Sequence, residues 1–514
     1  MNTNMKLKIG PRCIGSNITF FSLLLSMLCF QNIKAINNIR WGSNDSPLHG
    51  LTITWSNSGS NDSIKWGYTS SLEKGSSLGL KRNGYSGSFF KCTFPDVTAN
   101  STLYYQLYDS KTSSWSALKI FKTAPPADTK NFSFLAMGDS RDGLNTWNKV
   151  SNLGAAKKTN FTIFNGDIVA NGGNGGQWDS WFNQGANFLG NNIVYHSLGN
   201  HDAASVPTFL NNFELPKGET SSLYYSFTYG KAIFICLNSE NPGDAAQANW
   251  LVQTLKTNQD KKWKVVFFHK PFFTIGTHAG EMNGYLNSWW KAFDDFGVDL
   301  ICNGHDHMYE RTKPINMSIS AKAPVTTYGN LPGQGRCQIV CGGSGAPLYS
   351  GSPNWFIESY KSNYNFCKFD IKGSILYDTT YSESGAILES FVIDKSAQDV
   401  VPPDTTIVPP VDTTGNNHHT TNISVNTKNQ VFNPLIIVPN PVEGNFSLHY
   451  TSAVLGEALI KIFDVAGKEI ASESVQKTKP DFEYKYNLSG QQPGVYVVKV
   501  IMDKQIDSAL LILK

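Results

Sequence analysis

The chain has 514 residues, more than one hydrophobic core ordinarily serves, so several domains are expected. Its 43 Lys and Arg stand against 40 Asp and Glu, and a net +3 without a run of like charges excludes the basic surface of a nucleic-acid or membrane-surface binder. Aromatics at 12%, 44 glycines and only 16% charged residues fit a β-rich, loop-rich exported protein.

At the N-terminus, Lys6, Lys8 and Arg12 precede the apolar run Ile18 to Phe30, and Ala35 offers the small residue at which such leaders are cut. Residues 1–35 read as a secretory signal peptide. A membrane anchor needs roughly 20 apolar residues; this run is shorter, and no transmembrane segment is expected after cleavage. Cys13 and Cys29 leave with the signal. Cys92, Cys236, Cys302, Cys337, Cys341 and Cys367 remain, and their spacing fits no zinc ribbon but leaves disulfides and buried thiols both open.

Residues 36–126 carry short alternating runs between Asn, Gly and Ser: Leu51 to Trp55, Ser63 to Tyr68, Phe89 to Phe94 and Thr102 to Asp109. That spacing predicts a β-sandwich. No catalytic cluster falls within it. A linker at Ala124 to Asp128 follows, and from there to residue 397 apolar runs alternate with helical stretches.

Ser133 to Met137, Phe161 to Phe164, Asn192 to Leu198, Ala232 to Leu237, Trp263 to Phe268 and Val298 to Cys302 are predicted buried strands, with helices over Asp244 to Thr257 and Gly284 to Phe296. The fold class over 130–397 is therefore α/β and layered. Such sheets present ligands at the carboxyl ends of their strands. Read as one set, those ends give Gly138-Asp139, Asn165-Gly166-Asp167, Gly199-Asn200-His201-Asp202, His269 and Gly304-His305-Asp306-His307. Oxygen and imidazole donors gathered without a thiolate suit Fe, Zn or Mn.

The ordered set Gly-Asp, Gly-Asp, Gly-Asn-His-Asp, Val266-x-x-His269 and Gly-His-x-His resembles the calcineurin-like metallophosphoesterases. The ending His305-Asp306-His307-Met308-Tyr309-Glu310-Arg311, behind a leading β-sandwich, is most similar to the purple acid phosphatase branch. The resemblance implies a four-layer β-sandwich core flanked by helices, preceded by a fibronectin III-like sandwich. It implies two metal ions bridged by Asp167, one taking Asp139 and His307 and the other Asn200, His269 and His305. His201 would donate a proton to the leaving alcohol, oriented by Asp202, while hydroxide on the metal centre attacks phosphorus directly. His278 and Glu281, in the loop after His269, match a substrate-contacting histidine and a nearby acid of that family; two solvated polar residues is the other reading.

Two departures fall on one metal. Asp139-Ser140-Arg141 stands where the wider superfamily has Asp-x-His and the purple enzymes Asp-x-Gly, and Ala170 stands where a purple enzyme has its iron-binding tyrosine. That site is expected to be weaker or differently filled. Arg141 either pairs with Asp142 or another carboxylate, binds a phosphate oxygen as part of the substrate site, or replaces the charge of a missing ion.

Beyond Asp394, residues 398–430 are a Pro- and Thr-rich linker in which His418 and His419 lack a third ligand. Residues 431–514 alternate as a small antiparallel β-sandwich. Their Val438-Pro439-Asn440-Pro441, Asp464-Val465-Ala466-Gly467-Lys468 and Pro493-Gly494-Val495-Tyr496 resemble the C-terminal sorting domain of the type IX secretion system of Bacteroidota. A carbohydrate-binding module is the competing reading of this unit.

A secreted or surface-attached phosphatase is expected, hydrolysing small phosphomonoesters and exported by the type IX machinery. A phosphodiesterase of the same fold, or an adhesin with a decayed metal site, are the alternatives. Because Ala170 cannot supply a tyrosinate, an iron-loaded sample should lack a strong visible charge-transfer band; spectrophotometry showing one would contradict the expectation.

Overall fold

The computed structural model describes residues 36–396 except 58, 84–87, 219–220, 321 and 332, and residues 435–513 except 439–441, 452–453, 465–467, 480 and 503–504. The expected signal peptide and the linker with His418 and His419 lie outside the described residues. The described residues fall into two units, one on each side of that linker.

In the first unit, the N-terminal part pairs Asn37–Ser46, His49–Asn57, Ser88–Asp96 and Leu80–Asn83 in one antiparallel sheet. A second sheet is built on Ser63–Gly67 and Thr102–Asp109. Every second residue of Thr102–Asp109 is buried, the period of a strand with one face to a core. Trp55, Ile64, Phe90, Leu103 and Leu107 fill that core.

The rest of the unit is two larger sheets laid face to face. The first has six strands in the order Val194–His196, Phe161–Phe164, Asn131–Met137, Asn365–Lys372, Ile375–Ser382 and Ile387–Asp394, the first three mutually parallel. The second has seven, with Ala232–Cys236, Trp263–Phe267, Leu300–Asn303 and Cys337–Cys341 parallel at its centre. Alternation assigns the layers. Ala232, Phe234, Cys236, Trp263, Val265 and Phe267 belong to the inner core between the sheets. Ile233, Ile235, Val266 and Ile301 instead pack outward against Leu251, Leu255, Trp289 and Phe293 of the covering helices. Both faces are buried, which is why these strands read as unbroken apolar runs. On the far side, helices Leu144–Ala156 and Gly175–Gln184 cover the six-stranded sheet, with Trp147 stacked on Trp181 at 5.1 Å and edge-on to Phe164 at 5.7 Å. The result is helix, sheet, sheet, helix.

Helix Ala245–Thr257 starts where its Asp244 caps it, the side chain accepting from the Ala246 amide. The stretch expected to be one helix over Gly284 to Phe296 is instead a 3₁₀ turn, a π turn at Leu286–Trp290 and an α-turn at Lys291–Asp295. That sequence puts Trp289, Trp290 and Phe293 into one core cluster.

Arg40 joins the N-terminal sandwich to the helical face. Its Nε donates to the Asn212 carbonyl at 2.7 Å, and its guanidinium lies between the rings of Phe89 and Phe182, 4.7 and 4.4 Å from their centroids. Glu214 adds ion pairs to Arg82 and Lys91, each at 3.1 Å. The six cysteines among the described residues are all free.

The second unit is wholly antiparallel. One sheet pairs Leu435–Val438, Asn445–Thr451 and Asp481–Asn487; the other pairs Glu469–Lys477, Gly456–Asp464, Gly494–Met502 and Gln505–Leu513. Leu448, Ile460, Ile462, Val498, Val500 and Leu511 form its core. Among the described residues, no helix is long and apolar enough to cross a membrane.

Candidate metal centre

Five segments enter the site, each directly after a strand. Asp139 follows Asn131–Met137, Asp167 follows Phe161–Phe164, Asn200 and His201 follow Val194–His196, His269 follows Trp263–Phe267, and His305 and His307 follow Leu300–Asn303. Turning inward so abruptly requires an unusual backbone. Asp139, Asp167 and His305 have φ of 59°, 52° and 71°, a region that costs a non-glycine residue on the order of 1–3 kcal/mol. Local bonds hold it: the Asp139 amide donates to the Gly166 carbonyl at 3.0 Å, and the His305 amide to both Asp139 oxygens at 3.0 Å. At Gly199 a Cβ would lie 2.1 Å from the Asp167 amide nitrogen, and at Gly304 2.3 Å from Asp139 Oδ2. Only glycine fits either place.

Asp139, Asp167, His269, His305 and His307 are buried together. Burial pulls the three imidazoles down, His269 to about 3, His305 to about 2 and His307 to about 4, so all are neutral near pH 7. Burial raises the carboxyl groups of Asp139 and Asp167, the Asp139 value further through the Asp167 charge.

The ring protons are already placed. His269 Nδ1 lies 2.7 Å from the Asn165 carbonyl and His307 Nδ1 2.7 Å from that of Pro347, so both must donate there. His305 Nε2 faces Glu281 Oε2 at 3.3 Å. The remaining lone pairs therefore meet. His269 Nε2 is 2.9 Å from Asn200 Oδ1, 3.1 Å from His305 Nδ1 and 3.4 Å from Asp167 Oδ1. Acceptors facing acceptors without a hydrogen between them repel, and a cation among them removes the repulsion. The donors fit Fe, Zn or Mn. Asp167, His269 and His305 form one set of potential ligands and Asp139, Asp167 and His307 a second; within each, the atoms lie within 4.8 Å of one another, and Asp167 is common to both.

The other expected site residues divide. His201 comes to Asp167, its amide donating to Oδ1 at 3.0 Å and its Nε2 lying 3.9 Å from Oδ2. Asp202 does not orient it. The Asp202 carboxylate is buried and accepts from the backbone amides of Ile168, Val169 and Gly199, so it fixes the turn that carries Asp167. The His201 ring is held instead by the Ala170 carbonyl, 2.8 Å from Nδ1. Glu281 is engaged by His278 Nδ1 at 2.9 Å and by His305, which makes it a carboxylate behind a ligand candidate and fixes the His305 tautomer. The His278 ring lies against His305 with centroids 3.8 Å apart. Arg141 reaches the Asp167 and His307 side, with Nη1 on Asp142 Oδ2 at 2.7 Å, Nη2 3.4 Å from His307 Nε2 and Nε 3.7 Å from Asp167 Oδ2.

A sixth strand end escaped the sequence reading. After Cys337–Cys341, the Gly342 to Gly345 turn packs behind Asp139, the Ser344 amide donating to the Gly138 carbonyl at 3.0 Å. It then delivers the Pro347 carbonyl and Tyr349, whose ring stacks on His307 at 4.1 Å. The signal was present as an apolar run followed by Gly-Gly-x-Gly. Thr274 was not separable from ordinary loop residues, and Asp306 and Glu310, though within the motifs, carried no role of their own there.

Comparison with known proteins gives the family context. Residues 132–309 match the family model for calcineurin-like phosphoesterase, and residues 436–514 that for a secretion system C-terminal sorting domain. The chain is 26% identical over 294 residues to a probable inactive purple acid phosphatase 1 of Arabidopsis thaliana, covering 51% of this chain and 47% of that one. It is 24% identical over 265 residues to the Fe(3+)-Zn(2+) purple acid phosphatase 12 of the same plant, covering 46% and 54%. The chain thus spans about half the length of these curated relatives. In fold it is similar to a purple acid phosphatase from yellow lupin (Lupinus luteus) seeds, with a TM-score of 0.59 at 19% identity over 70% of this chain and 74% of the other. The chain therefore contains a calcineurin-like phosphoesterase domain, has purple acid phosphatase relatives and ends in a sorting domain.

Behind the His305 to His307 turn, the single Thr274 hydroxyl faces both Asp306 Oδ2 and Glu310 Oε1, the latter at 2.8 Å. One hydrogen cannot serve two carboxylates, so a carboxyl proton completes the group; burial pushes Glu310 up to about 8. This folded value exceeds the unfolded one of about 4.3. The stabilisation is therefore complete below the unfolded value and lost as pH rises towards 8. Because the neutral buried imidazoles contribute the opposite slope, the check is a difference: subtracting the unfolding free energy of metal-free Glu310→Gln from that of the metal-free wild type should leave a term that falls with pH between 5 and 8. A difference that does not change with pH would remove the shared proton.

Proposed function

We propose that this chain, with its calcineurin-like phosphoesterase domain, is an exported metal-dependent phosphatase acting on small phosphomonoesters. The observation that carries the reading is the meeting of His269 Nε2 and His305 Nδ1, 3.1 Å apart with their far nitrogens already engaged, beside Asp167 and Asn200, where a cation would satisfy both lone pairs. Asp139 and His307 extend the same set from the other side of Asp167. Bound cations there would supply Lewis acidity, lowering the pKa of a water and neutralising charge on a phosphoryl group.

The chain supplies orientation and a proton. With Nδ1 held by the Ala170 carbonyl, His201 presents Nε2 beside Asp167, and its side chain keeps 32% exposure where the others are buried. It is the group placed to protonate a leaving alkoxide. With Nδ1 on the carbonyl, Nε2 is the ring atom that faces the site. His278 and Tyr349, beside His305 and His307, are assigned to substrate contact. The direction of export rests on the sorting domain at 436–514, which supports delivery to the cell surface or beyond by type IX secretion.

Phosphate release from an aryl phosphomonoester by the full chain, reconstituted with Fe, Zn or Mn, tests the reading beside an aryl phosphodiester. Turnover of the monoester is expected, with loss to background in Asp167→Asn. His201→Ala should cost about 10²- to 10⁴-fold, more with an alkyl than an aryl leaving group. No release with any metal would sink the monoesterase assignment.

A further inference from the structure

The two ligand sets are not equivalent, and the difference lies in Arg141. Among the described residues, no protein cation hydrogen-bonds the facing lone pairs of His269 and His305, and Lys270 lies instead on Glu281 Oε2 at 3.5 Å; beside Asp139, Asp167 and His307 one cation does. His307 Nδ1 is bound to the Pro347 carbonyl, so its Nε2 is an acceptor, and Arg141 Nη2 lies 3.4 Å from it. An arginine has donors only, so the guanidinium points a hydrogen at the atom that would otherwise bind an ion. Arg141 Nε is buried without a hydrogen-bond partner, 3.7 Å from Asp167 Oδ2. The backbone fixes this position: the Arg141 amide donates to the Asp167 carbonyl at 3.3 Å.

Among the described residues, no further His, Cys, Asp or Glu joins that set. Ser140, next to Asp139, is turned away, its hydroxyl donating to the Ile168 carbonyl at 3.0 Å and accepting from Trp181 Nε1 at 2.8 Å. Ala170 contributes only its carbonyl, which is held by His201. The set has three donors and a fixed positive charge among them. The other has Asp167, Asn200, His269 and His305 and a carboxylate, Glu281, behind His305.

We infer that Arg141 is the resident cation of the Asp139, Asp167 and His307 set, so that the centre binds one ion tightly, between Asp167, Asn200, His269 and His305, and a second only weakly. The inference rests on the metal-dependent reading above and specifies its stoichiometry. Like charges at this separation weaken binding strongly in a partly buried site. Removing the guanidinium should therefore release the second set.

The test is a competition titration of the metal-free full chain with Zn²⁺ against a chromophoric chelator, counted relative to an Asp167→Ala/His305→Ala chain. Wild type should take one ion tightly and a second at least about tenfold more weakly. Arg141→Ala and Arg141→His should each tighten the second ion at least about tenfold, leaving the first within about threefold. Titration with Mn²⁺ followed by electron paramagnetic resonance adds a readout independent of turnover. A single-ion spectrum is expected in wild type and a spin-coupled pair in Arg141→His. Two ions of equal affinity in wild type, or a second affinity unmoved in both variants, overturns the inference while leaving the phosphatase reading in place. Failure of wild type to bind any ion overturns both.

Discussion

The site depends on neutral imidazoles and buried carboxyl groups whose polar atoms converge at one place. Each ring is locked by a bond on its far nitrogen, His269 to Asn165, His307 to Pro347 and His305 to Glu281, so none can rotate or change tautomer. That rigidity requires strands buried on both faces, because a strand with one wet face could let its end shift. Two sheets packed face to face with helices outside provide it, and glycines at 199 and 304 let two strand ends come within contact of a neighbour's carboxylate or amide.

Much of this could be read from residue order. Strands buried on both faces leave unbroken apolar runs, so Phe161 to Phe164 and Trp263 to Phe268 were visible, and the residues just after each run are those that the sheet edge presents. His269, His305, His307, Asp139 and Asp167 stand at those positions, and the structure brings them together. Roles that depend on which atom meets which were not legible. Asp202 follows His201 directly, yet its carboxylate turns back to the Ile168, Val169 and Gly199 amides, because a buried carboxylate is satisfied best by converging backbone donors. Glu281 also lies 3.3 Å from His305 Nε2, a contact that its place in the sequence does not reveal. The turn after Cys341 was overlooked because its contributions are a carbonyl and an aromatic face, which carry no charge signature.

Helix composition misled in a different way. Gly284 to Phe296 has the apolar spacing of a helix, but the chain winds through 3₁₀, π and α turns in succession. A wider turn changes which side chains share a face, and here it lets two adjacent tryptophans, Trp289 and Trp290, both be buried. Tertiary burial outweighed regular local geometry.

The seat of Arg40 bears on how such a protein can be inherited. A guanidinium from the leading sandwich is clasped between Phe89 of its own part and Phe182 of the neighbouring part, and bonded to the Asn212 carbonyl at the end of helix Val206–Asn212. With Glu214 tied to Arg82 and Lys91, the seam is one shared interior rather than a contact between independent modules. Recombination that exchanged the leading sandwich for another would leave a carbonyl and an aromatic cleft without their cation. The two parts should therefore travel through descent as a single block, while the sorting domain is a separate unit with its own core beyond the linker.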